Sequence, residues 1–443
     1  MPKKIFIIGA GLSSGSLIRY LLDQAPKEDW QIVVGDMNLA LAEAKIAKNP
    51  YGKAIFFDVH DSKICEEQIS KTDLVVSLLP AFLHYKAAAT ALKFGKNFLT
   101  ASYVSPEIKA LDKEIQAKNL LFLNELGADP GIDHLSAMQI FDELKAKGAE
   151  ILSFKSYTGG LIAPAYDNNP WNYKFTWNPR NVVLAGQGVA KYLQDSQPKY
   201  VPYHRLFSSL EKIQIDNYGD FEGYPNRDSL IYRELYGIEN IPTILRGTLR
   251  RKGFCESWNV FVQLGMTDDS YPIDHSESLT YADFLRSFLP KSDMNLKDQL
   301  EKELHFSKQT ISKLDWLGIF EPTKIGLEKA SPAKILQHLL ESKWKLAPKD
   351  KDLLVMQHIV EYRLENKNYQ LFSTMTLEGN EQETAMSQAV GLPLAVGAHL
   401  LMKNQIQGKG VQIPNKRAIY EPILKKLVDF GISFAEKVLP MKS

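Results

Sequence analysis

The sequence predicts an α/β protein with a doubly wound parallel sheet at the N-terminus, a second sheet-based domain and a small helical domain. Through the first 130 residues, apolar strand-like runs alternate with helical patterns, which is typical of parallel βαβ units. From about residue 151 strand-like segments dominate, and residues 276–345 are helical and charged. The 443 residues also exceed what one hydrophobic core usually organises.

The first 36 residues carry the most informative motif. An apolar run at residues 4–8 leads into a glycine turn and a helix, and a second apolar run at 31–34 ends near Asp36. The turn contains Gly9, Gly11, Leu12, Ser13, Ser14 and Gly15. Such a turn brings backbone N–H groups and the positive end of the helix to a pyrophosphate. Although Ser14 replaces the third glycine of the usual pattern, the context predicts a dinucleotide site.

Asp36 is expected to choose between dinucleotides. A carboxylate at this position accepts hydrogen bonds from ribose hydroxyls and would repel a 2′-phosphate. The following Met37 and Asn38 offer no cation to hold such a phosphate. The sequence therefore predicts NAD in preference to NADP.

Small and polar residues follow the other predicted strands of the first domain. These strands are expected at residues 54–57, 74–79, 97–100 and 120–123. Their carboxyl ends carry Asp58, Val59, Pro80, Ala81, residues 101–103 and residues 124–129. Ligands of parallel sheets bind at that edge, so cofactor and substrate are expected there.

The rest of the chain predicts the other two domains. Strands are expected at 153–157, 213–218, 244–250, 258–264, 351–364 and 369–378. Helices are expected at 281–289, 297–304, 311–317 and 332–344, and two last helical segments at 383–403 and 419–438 are expected to cover the first domain.

Composition and charge limit the kinds of partner that the protein is expected to bind. Hydrophobic residues make up 44% and charged residues 24%, and 53 basic residues balance 52 acidic ones. We therefore expect no nucleic acid or membrane partner. The N-terminus lacks the pattern of a signal peptide, which predicts a cytoplasmic protein. Cys65 and Cys255 lack metal-ligand spacing, so no metal site is expected.

Three arginines lie in segments with a distinctive sequence. Arg227 follows Tyr-Pro-Asn, and Arg246 and Arg250 flank a Gly-Thr-Leu segment. Guanidinium groups suit carboxylates because two parallel N–H donors match two oxygens. The alternative is that they are surface arginines paired with neighbours such as Asp228.

Asp129, Tyr103, His134 and His84 are further candidates. Asp129 follows a strand end, where it either lies beside a nicotinamide or caps a turn. Tyr103 offers a phenol that can bind a carboxylate or relay a proton. His134 is interpreted as structural, and His84 is expected to begin a helix.

Together these residues resemble the saccharopine dehydrogenase family of the L-glutamate-forming type, also called saccharopine reductase. The resemblance runs essentially end to end. It rests on Gly9-Ala10-Gly11, Leu78-Leu79-Pro80, residues 100–106, 124–134, 157–161 and 173–177, the two arginine segments and Gly391-Leu392-Pro393.

The resemblance implies a Rossmann dinucleotide-binding domain with an α/β substrate-binding domain and a small helical domain. We assign residues 1–130, completed by about 385–443, to the first, 131–275 and 346–384 to the second, and 276–345 to the third. The implied reaction cleaves saccharopine oxidatively to glutamate and aminoadipate semialdehyde, or condenses them in reverse, in lysine metabolism. A homodimer is expected.

Site residues follow from the same resemblance. Saccharopine would contact Ser102, Tyr103, Asp129, Arg227, Thr248, Leu249 and Arg250, with Asp129 and Tyr103 assisting proton transfers. The dinucleotide would contact Gly9, Gly11, Leu12, Ser13, Ser14, Gly15, Asp36, Met37, Asn38, Asp58, Val59, Leu79, Ala101, Ser102, Ala128, Asp129, Pro130 and Trp177.

Two departures from the family pattern stand out. Fungal members use NADP and carry an arginine near the end of the second strand, which this chain lacks. They also carry a cysteine where this chain has Thr158, and a threonine hydroxyl is too weak an acid to replace a thiol. Two alternatives remain, a carboxynorspermidine-type condensation of an amine with an aldehyde and a non-catalytic NAD-binding regulator.

Overall fold

A computed structural model describes residues 2–441. Within that range there are sixteen strands. In chain order they are β1 (Lys3–Ile8), β2 (Trp30–Asp36), β3 (Gly52–Phe56), β4 (Leu74–Ser77), β5 (Asn97–Thr100), β6 (Leu121–Leu123), β7 (Glu150–Ile162), β8 (Val189–Gln194), β9 (Gln197–Pro202), β10 (Glu211–Ile215), β11 (Gly219–Pro225), β12 (Thr243–Arg251), β13 (Asp352–Leu364), β14 (Lys367–Glu378), β15 (Gly410–Gln412) and β16 (Ala435–Pro440).

The same range contains seventeen α-helices. They are α1 (Gly15–Glu28), α2 (Leu39–Ile46), α3 (Ser62–Ser70), α4 (His84–Lys93), α5 (Pro106–Ala110), α6 (Asp112–Ala117), α7 (Ile132–Ala146), α8 (Pro179–Val183), α9 (Tyr203–Leu206), α10 (Tyr232–Leu235), α11 (Phe254–Gln263), α12 (Tyr281–Arg286), α13 (Leu296–Leu304), α14 (Lys308–Leu317), α15 (Pro332–Lys343), α16 (Ala385–Met402) and α17 (Arg417–Leu427).

The chain forms two compact units, which we call unit 1 and unit 2. Unit 1 comprises Met1–Glu150, Leu364–Asn366 and Met375–Ala435. Unit 2 comprises Ile151–Arg363, Lys367–Thr374 and Glu436–Ser443. The division into three domains with the boundaries given above stays a prediction.

Unit 1 contains a parallel sheet of seven strands in the order β15-β6-β5-β4-β1-β2-β3. The order reverses between β1 and β4, and in such sheets the ligand crevice lies at this point, outside the carboxyl ends of the strands. The helices between these strands let every strand run the same way, as the alternating pattern predicted.

Unit 2 contains a mixed sheet. Seven of its strands follow the order β10-β11-β12-β7-β13-β14-β16, and the hairpin β8-β9 attaches to β12. β12 lies parallel to β7 and antiparallel to β11. Helices α11, α14 and α15 form a separate core around the fully buried Trp171, Trp258 and Trp344.

Two predicted elements are wrong. Residues 258–264 were expected to be a strand because aromatic and β-branched residues cluster there, but they form most of α11. The buried positions of α11 include Phe254, Trp258 and Phe261, which recur at helical spacing. The last segment leaves its helix at Leu427 and ends as strand β16.

Helix α16 is long and apolar enough to span a membrane by length and composition alone. Its mean hydropathy is 1.4, and 67% of the helix is buried inside the protein. A core helix of a folded domain has the same properties. In unit 1, α16 packs against α1.

Candidate active site

The glycine turn follows the end of β1. Gly9 has a φ of +107°, and a Cβ there would lie 3.0 Å from the carbonyl oxygen of Leu78, so glycine is required. A Cβ at Gly11 would meet nothing within 4 Å, so space remains beside the turn. A 3-10 turn over Leu12–Ser14 leads into α1, whose N-terminal N–H groups suit a pyrophosphate.

Two other glycines allow close packing of α1, which the third glycine of the usual motif would otherwise allow. A Cβ at Gly391 would lie 2.8 Å from the backbone of α1, and one at Gly15 would lie 2.5 Å from a carboxylate oxygen of Glu383. Helix α1 can therefore lie close to α16. Ser14 instead donates its hydroxyl to the carbonyl oxygen of Gly11 at 2.8 Å.

Both carboxylate oxygens of Asp36 are bonded inside the protein. Oδ2 accepts a hydrogen bond from the Ala10 N–H at 2.7 Å, and Oδ1 accepts one from the Asn38 N–H at 2.8 Å. The carboxylate thus ties the glycine turn to the end of β2. Met37 is largely exposed, and Asn38 precedes α2 without a capping bond from its side chain.

Asp58, Val59 and Leu79 lie at the same edge of the sheet, just after β3 and β4. The Oδ1 atom of Asp58 accepts a hydrogen bond from the His60 N–H at 2.8 Å. Val59 is buried and Leu79 is half-buried against the core of the sheet. Their placement at the carboxyl ends fits a role beside a dinucleotide.

Ser102 follows β5 and belongs to a buried network around His84. His84 Nδ1 lies 2.8 Å from Ser77 Oγ, and His84 Nε2 lies 2.7 Å from Ser102 Oγ. Burial lowers the pKa of His84 to about 4, so the imidazole is neutral near pH 7. His84 begins α4, as the sequence predicted.

The structure brings Tyr103 and Asp129 together. The Tyr103 hydroxyl donates a hydrogen bond to Asp129 Oδ1 at 3.3 Å. A phenol beside a carboxylate can pass a proton in either direction. The pair lies at the sheet edge that also carries Ser102.

Buried side chains hold the two loops that carry this pair. Glu125 accepts a hydrogen bond from the Val104 N–H at 3.1 Å, and its other oxygen lies 2.9 Å from His134 Nε2. His134 is fully buried in the first turn of α7, which fits the structural interpretation. Gly131 has a φ of +148°, and a Cβ there would lie 2.0 Å from the carbonyl oxygen of Gly127. Ala101, Ala128 and Pro130 lie in the same two loops.

Arg250 occupies an unusual place in unit 2. Its side chain is buried, and its guanidinium carbon lies 5.2, 6.0 and 5.4 Å from the ring centres of Tyr173, Tyr224 and Phe254. Nη1 donates to the Leu249 carbonyl oxygen at 2.9 Å, and Nε has no hydrogen-bond partner among the described residues. Nor does any carboxylate of residues 2–441 pair with this guanidinium.

Three ionisable groups beside Arg250 carry no compensating charge, and the Glu222 carboxylate, which is in register with Arg250, instead accepts hydrogen bonds from the Gly253 and Cys255 N–H groups. Burial raises the pKa of Tyr224 to about 12 and also raises that of Tyr173. Burial likewise raises the pKa of the Cys255 thiol. All three are therefore neutral near pH 7. Because a buried cation without a counterion is costly, the setting of Arg250 favours an anionic ligand.

Hydroxyl groups lie on the strands beside Arg250. Thr248 of β12 is in register with Thr158 of β7, and the buried Thr158 Oγ1 has no hydrogen-bond partner among the described residues. The Leu249 side chain is fully buried in the core of the sheet. A ligand could therefore reach Leu249 only through its main chain.

The other two arginines have defined settings in the same sheet. Arg246 places its guanidinium carbon 4.2 Å from the ring centre of Tyr232. Arg227 follows β11 with a φ of +52°, and its carbonyl oxygen accepts a hydrogen bond from Lys191 N at 2.7 Å. The side chain of Lys191 pairs with Asp228 at 3.1 Å.

The predicted site residues thus divide between the two units. Unit 1 holds Ser102, Tyr103, Asp129 and the dinucleotide residues other than Trp177. Trp177 lies in unit 2, half-buried against the tryptophan-rich core, as do Arg227 and residues 248–250. Within residues 2–441, no group of three His, Cys, Asp or Glu side chains could hold a metal ion.

Two family models match the chain. The model described as "Saccharopine dehydrogenase NADP binding domain" matches residues 5–123, and "Saccharopine dehydrogenase C-terminal domain" matches residues 127–432. The chain belongs to the saccharopine dehydrogenase family. The resemblance read from the sequence is confirmed.

A solved structure of this family has the same fold. It is the apo saccharopine dehydrogenase (L-Glu forming) from Saccharomyces cerevisiae, which is 30% identical with a TM-score of 0.88. The match covers 99% of this chain and 100% of that one. The predicted α/β class, with a Rossmann domain and a second sheet domain, is confirmed.

Curated relatives fall into two groups. The saccharopine dehydrogenase [NADP(+), L-glutamate-forming] of S. cerevisiae is 30% identical, over 99% of this chain and 100% of its own length. The alpha-aminoadipic semialdehyde synthases of Arabidopsis thaliana and Mus musculus are 34% and 33% identical over 94% and 98% of this chain. The chain spans only 41% and 47% of their lengths.

The prediction of NAD in preference to NADP is wrong. The matching family model is an NADP-binding domain, and the fungal relatives are named as NADP(+) enzymes. The prediction relied on Asp36 facing the ribose, yet both of its carboxylate oxygens accept hydrogen bonds from the protein backbone. Its charge is thereby partly offset, so the residue type alone did not decide the cofactor.

Sequence reasoning missed two buried groups that hold the site. Glu125 was seen only as part of a strand end, and His84 only as the start of a helix. A buried histidine gives no signal in one sequence when its partners, Ser77 and Ser102, are separated from it along the chain. The fold alone brings these three side chains together.

Proposed function

We propose that the chain cleaves saccharopine with NADP and water to L-glutamate and L-2-aminoadipate 6-semialdehyde, or catalyses the reverse condensation. The observation that carries the proposal is the buried, uncompensated guanidinium of Arg250. Saccharopine carries three carboxylates, and a bidentate arginine is the side chain best matched to a carboxylate. Binding one of them would give Arg250 the counterion that the described residues do not supply.

The residues of unit 1 fit a dinucleotide. Gly9 permits a sharp turn that no other residue would tolerate, and the open space at Gly11 lets a pyrophosphate approach the backbone. Asn38, whose side chain makes no capping bond, is the polar group next to the end of β2 that could donate to a 2′-phosphate. When bound, NADP would supply the hydride chemistry.

Tyr103 and Asp129 are the proposed proton-transfer pair. Opening the C–N bond with water requires a group that accepts a proton from water and one that returns a proton to the leaving amine. The carboxylate of Asp129 can accept, and the Tyr103 hydroxyl, which donates to Asp129, can relay. Ser102 would hold the substrate beside them.

Thr158 takes no acid–base role in this proposal. Its hydroxyl is buried on the strand next to Thr248 and has no hydrogen-bond partner among the described residues. A threonine hydroxyl can donate one hydrogen bond to a ligand but does not ionise near neutral pH. Thr158 would therefore bind the ligand without exchanging a proton.

The direct test is absorbance at the reduced-nicotinamide band. Purified protein, saccharopine and NADP should give saccharopine-dependent NADPH formation, and omission of saccharopine is the blank. No signal with NADP or with NAD would overturn the proposed reaction. The carboxynorspermidine-type condensation and the regulatory role are not favoured, because the full-length relatives are named as saccharopine dehydrogenases.

A further inference from the structure

The imidazole of His84 connects the ends of two neighbouring strands of unit 1. Ser77, at the end of β4, and Thr100, at the end of β5, are fully buried, and His84 is 2% exposed. His84 Nδ1 lies 2.8 Å from Ser77 Oγ, and Nε2 lies 2.7 Å from Ser102 Oγ. The imidazole itself is therefore too enclosed to touch a substrate, whereas Ser102 is only half-buried.

Ser102 is held at three points. Its backbone N–H donates to Thr100 Oγ1 at 3.3 Å, its carbonyl oxygen accepts from the Glu125 N–H at 3.0 Å, and its hydroxyl meets His84 Nε2. Since the two backbone contacts fix the position of the residue, the contact with His84 sets the remaining freedom, the direction of the hydroxyl.

We propose that His84 is a positioning residue that turns the Ser102 hydroxyl toward the substrate. This role rests on the proposed saccharopine reaction and concerns a residue that does not touch the reacting atoms. A neutral imidazole has one donor and one acceptor nitrogen. In the tautomer that fits this role, the Ser77 hydroxyl donates to Nδ1, and Nε2–H donates to Ser102 Oγ.

This arrangement decides whether the Ser102 hydroxyl donates or accepts a hydrogen bond on the substrate side. When Nε2–H occupies a lone pair of Ser102 Oγ, the serine O–H stays available as a donor to a carboxylate of the substrate. A protonated imidazole would donate from both nitrogens, so the Ser77 hydroxyl would have to accept from Nδ1–H instead of donating. The buried setting holds His84 in the neutral form.

The test compares kcat/KM for saccharopine across a mutant cycle. His84→Phe should lower it about tenfold to a hundredfold, the cost of a slightly misplaced group. In a Ser102→Ala background the same change should cause no further loss, because His84 acts through Ser102. His84→Gln, whose amide can donate to Ser102, should recover part of the activity.

Controls separate the outcomes. His399→Gln alters a half-buried histidine that contacts the Tyr20 hydroxyl at 3.0 Å, and it should retain wild-type kcat/KM. If His84→Phe does not fold by circular dichroism, Ser77→Ala decides, with an expected loss of about threefold to tenfold. Full activity of the folded His84 and Ser77 variants, or an equal further loss in the Ser102→Ala background, would overturn the role of His84. Absence of any saccharopine turnover by the wild type would overturn the proposed function, and the role of His84 with it.

Discussion

Arg250 is the residue that we expect to give specificity for a carboxylate substrate. Its guanidinium is buried among aromatic rings and donates a hydrogen bond to the backbone carbonyl of Leu249. We expect Arg250→Ala to raise the KM for saccharopine about tenfold to a hundredfold, since a charge-assisted hydrogen bond is worth about 1.5–3 kcal/mol. Steady-state kinetics with saturating NADP would measure it.

Arg286→Ala is the matched control for this change. Arg286 is exposed and pairs with Asp283 at 2.9 Å, so its loss should leave the KM for saccharopine unchanged. The NADP dissociation constant of Arg250→Ala should also match that of the wild type. An equal loss of both affinities would contradict the carboxylate role.

Substitutions at Tyr103 and Asp129 should lower kcat by different amounts. Asp129→Asn removes the proton acceptor and should lower kcat about a hundredfold or more. Tyr103→Phe removes only the relaying hydroxyl, 3.3 Å from Asp129, and should have a smaller effect. Single-turnover kinetics would separate this step from product release, and an unchanged rate for Asp129→Asn would exclude Asp129 from proton transfer.

The lowered pKa of His84 has a consequence for stability. Below pH 6.5 the unfolded chain protonates this imidazole, whereas the folded protein resists protonation until about pH 4. The free energy of unfolding should therefore fall as the pH drops through this window, by up to about 3 kcal/mol for His84. Urea titrations at pH 7 and pH 5 would measure the fall.

His84→Gln isolates the contribution of His84. Burial also lowers the pKa of His399, which contributes a dependence of the same sign to both proteins. The variant should lose less stability than the wild type between the two pH values. Identical pH dependence would contradict the assigned shift.

Among the elements, the contact between α1 and α16 depends on Gly391. A methyl group there would lie 2.8 Å from the α1 backbone, so Gly391→Ala should displace the helix that follows the glycine turn. Overpacking of this kind costs about 1–3 kcal/mol, and we expect a lower melting temperature together with weaker NADP binding. In the control Gly408→Ala, the atoms nearest to the added methyl are at the flexible end of the Gln412 side chain, and no such weakening is expected.

The elements also show how far the sequence determines the fold. Strands β1 to β6 of unit 1 could be predicted because buried parallel strands are continuous apolar runs between helices. Helix α11 was missed because aromatic and β-branched residues, which favour strands, cluster over residues 258–264, although its buried positions recur at helical spacing. The three-residue strand β15 is too short to leave a pattern, and β16, whose residues are all exposed, lacks the alternation of a half-buried strand.

The candidate site, like the fold, could be predicted from the sequence only in part. The glycine turn was predictable because the backbone geometry at Gly9 demands a glycine. The environments of Asp36, His84 and Arg250 depend on backbone and side chains distant in the sequence, so their roles required the structure. The NAD prediction failed for this reason: it treated Asp36 as a free carboxylate.

For the whole molecule, the two compact units predict two unfolding events. Each has its own core, and all the proposed dinucleotide contacts except Trp177 lie in unit 1. NADP should therefore raise the midpoint of one calorimetric transition more than the other. A single transition that shifts as a whole would show that the units unfold together.

The late position of two edge strands in the sequence determines when each sheet can be completed during synthesis. β15 completes one edge of the sheet in unit 1, and β16 completes one edge of the sheet in unit 2, yet both come from residues after 409. Although a nascent chain generally folds its N-terminal domain first, here neither sheet is complete until the ribosome has added β15 and β16. Until then each nascent sheet exposes the edge of β6 or β14, to which another chain could pair.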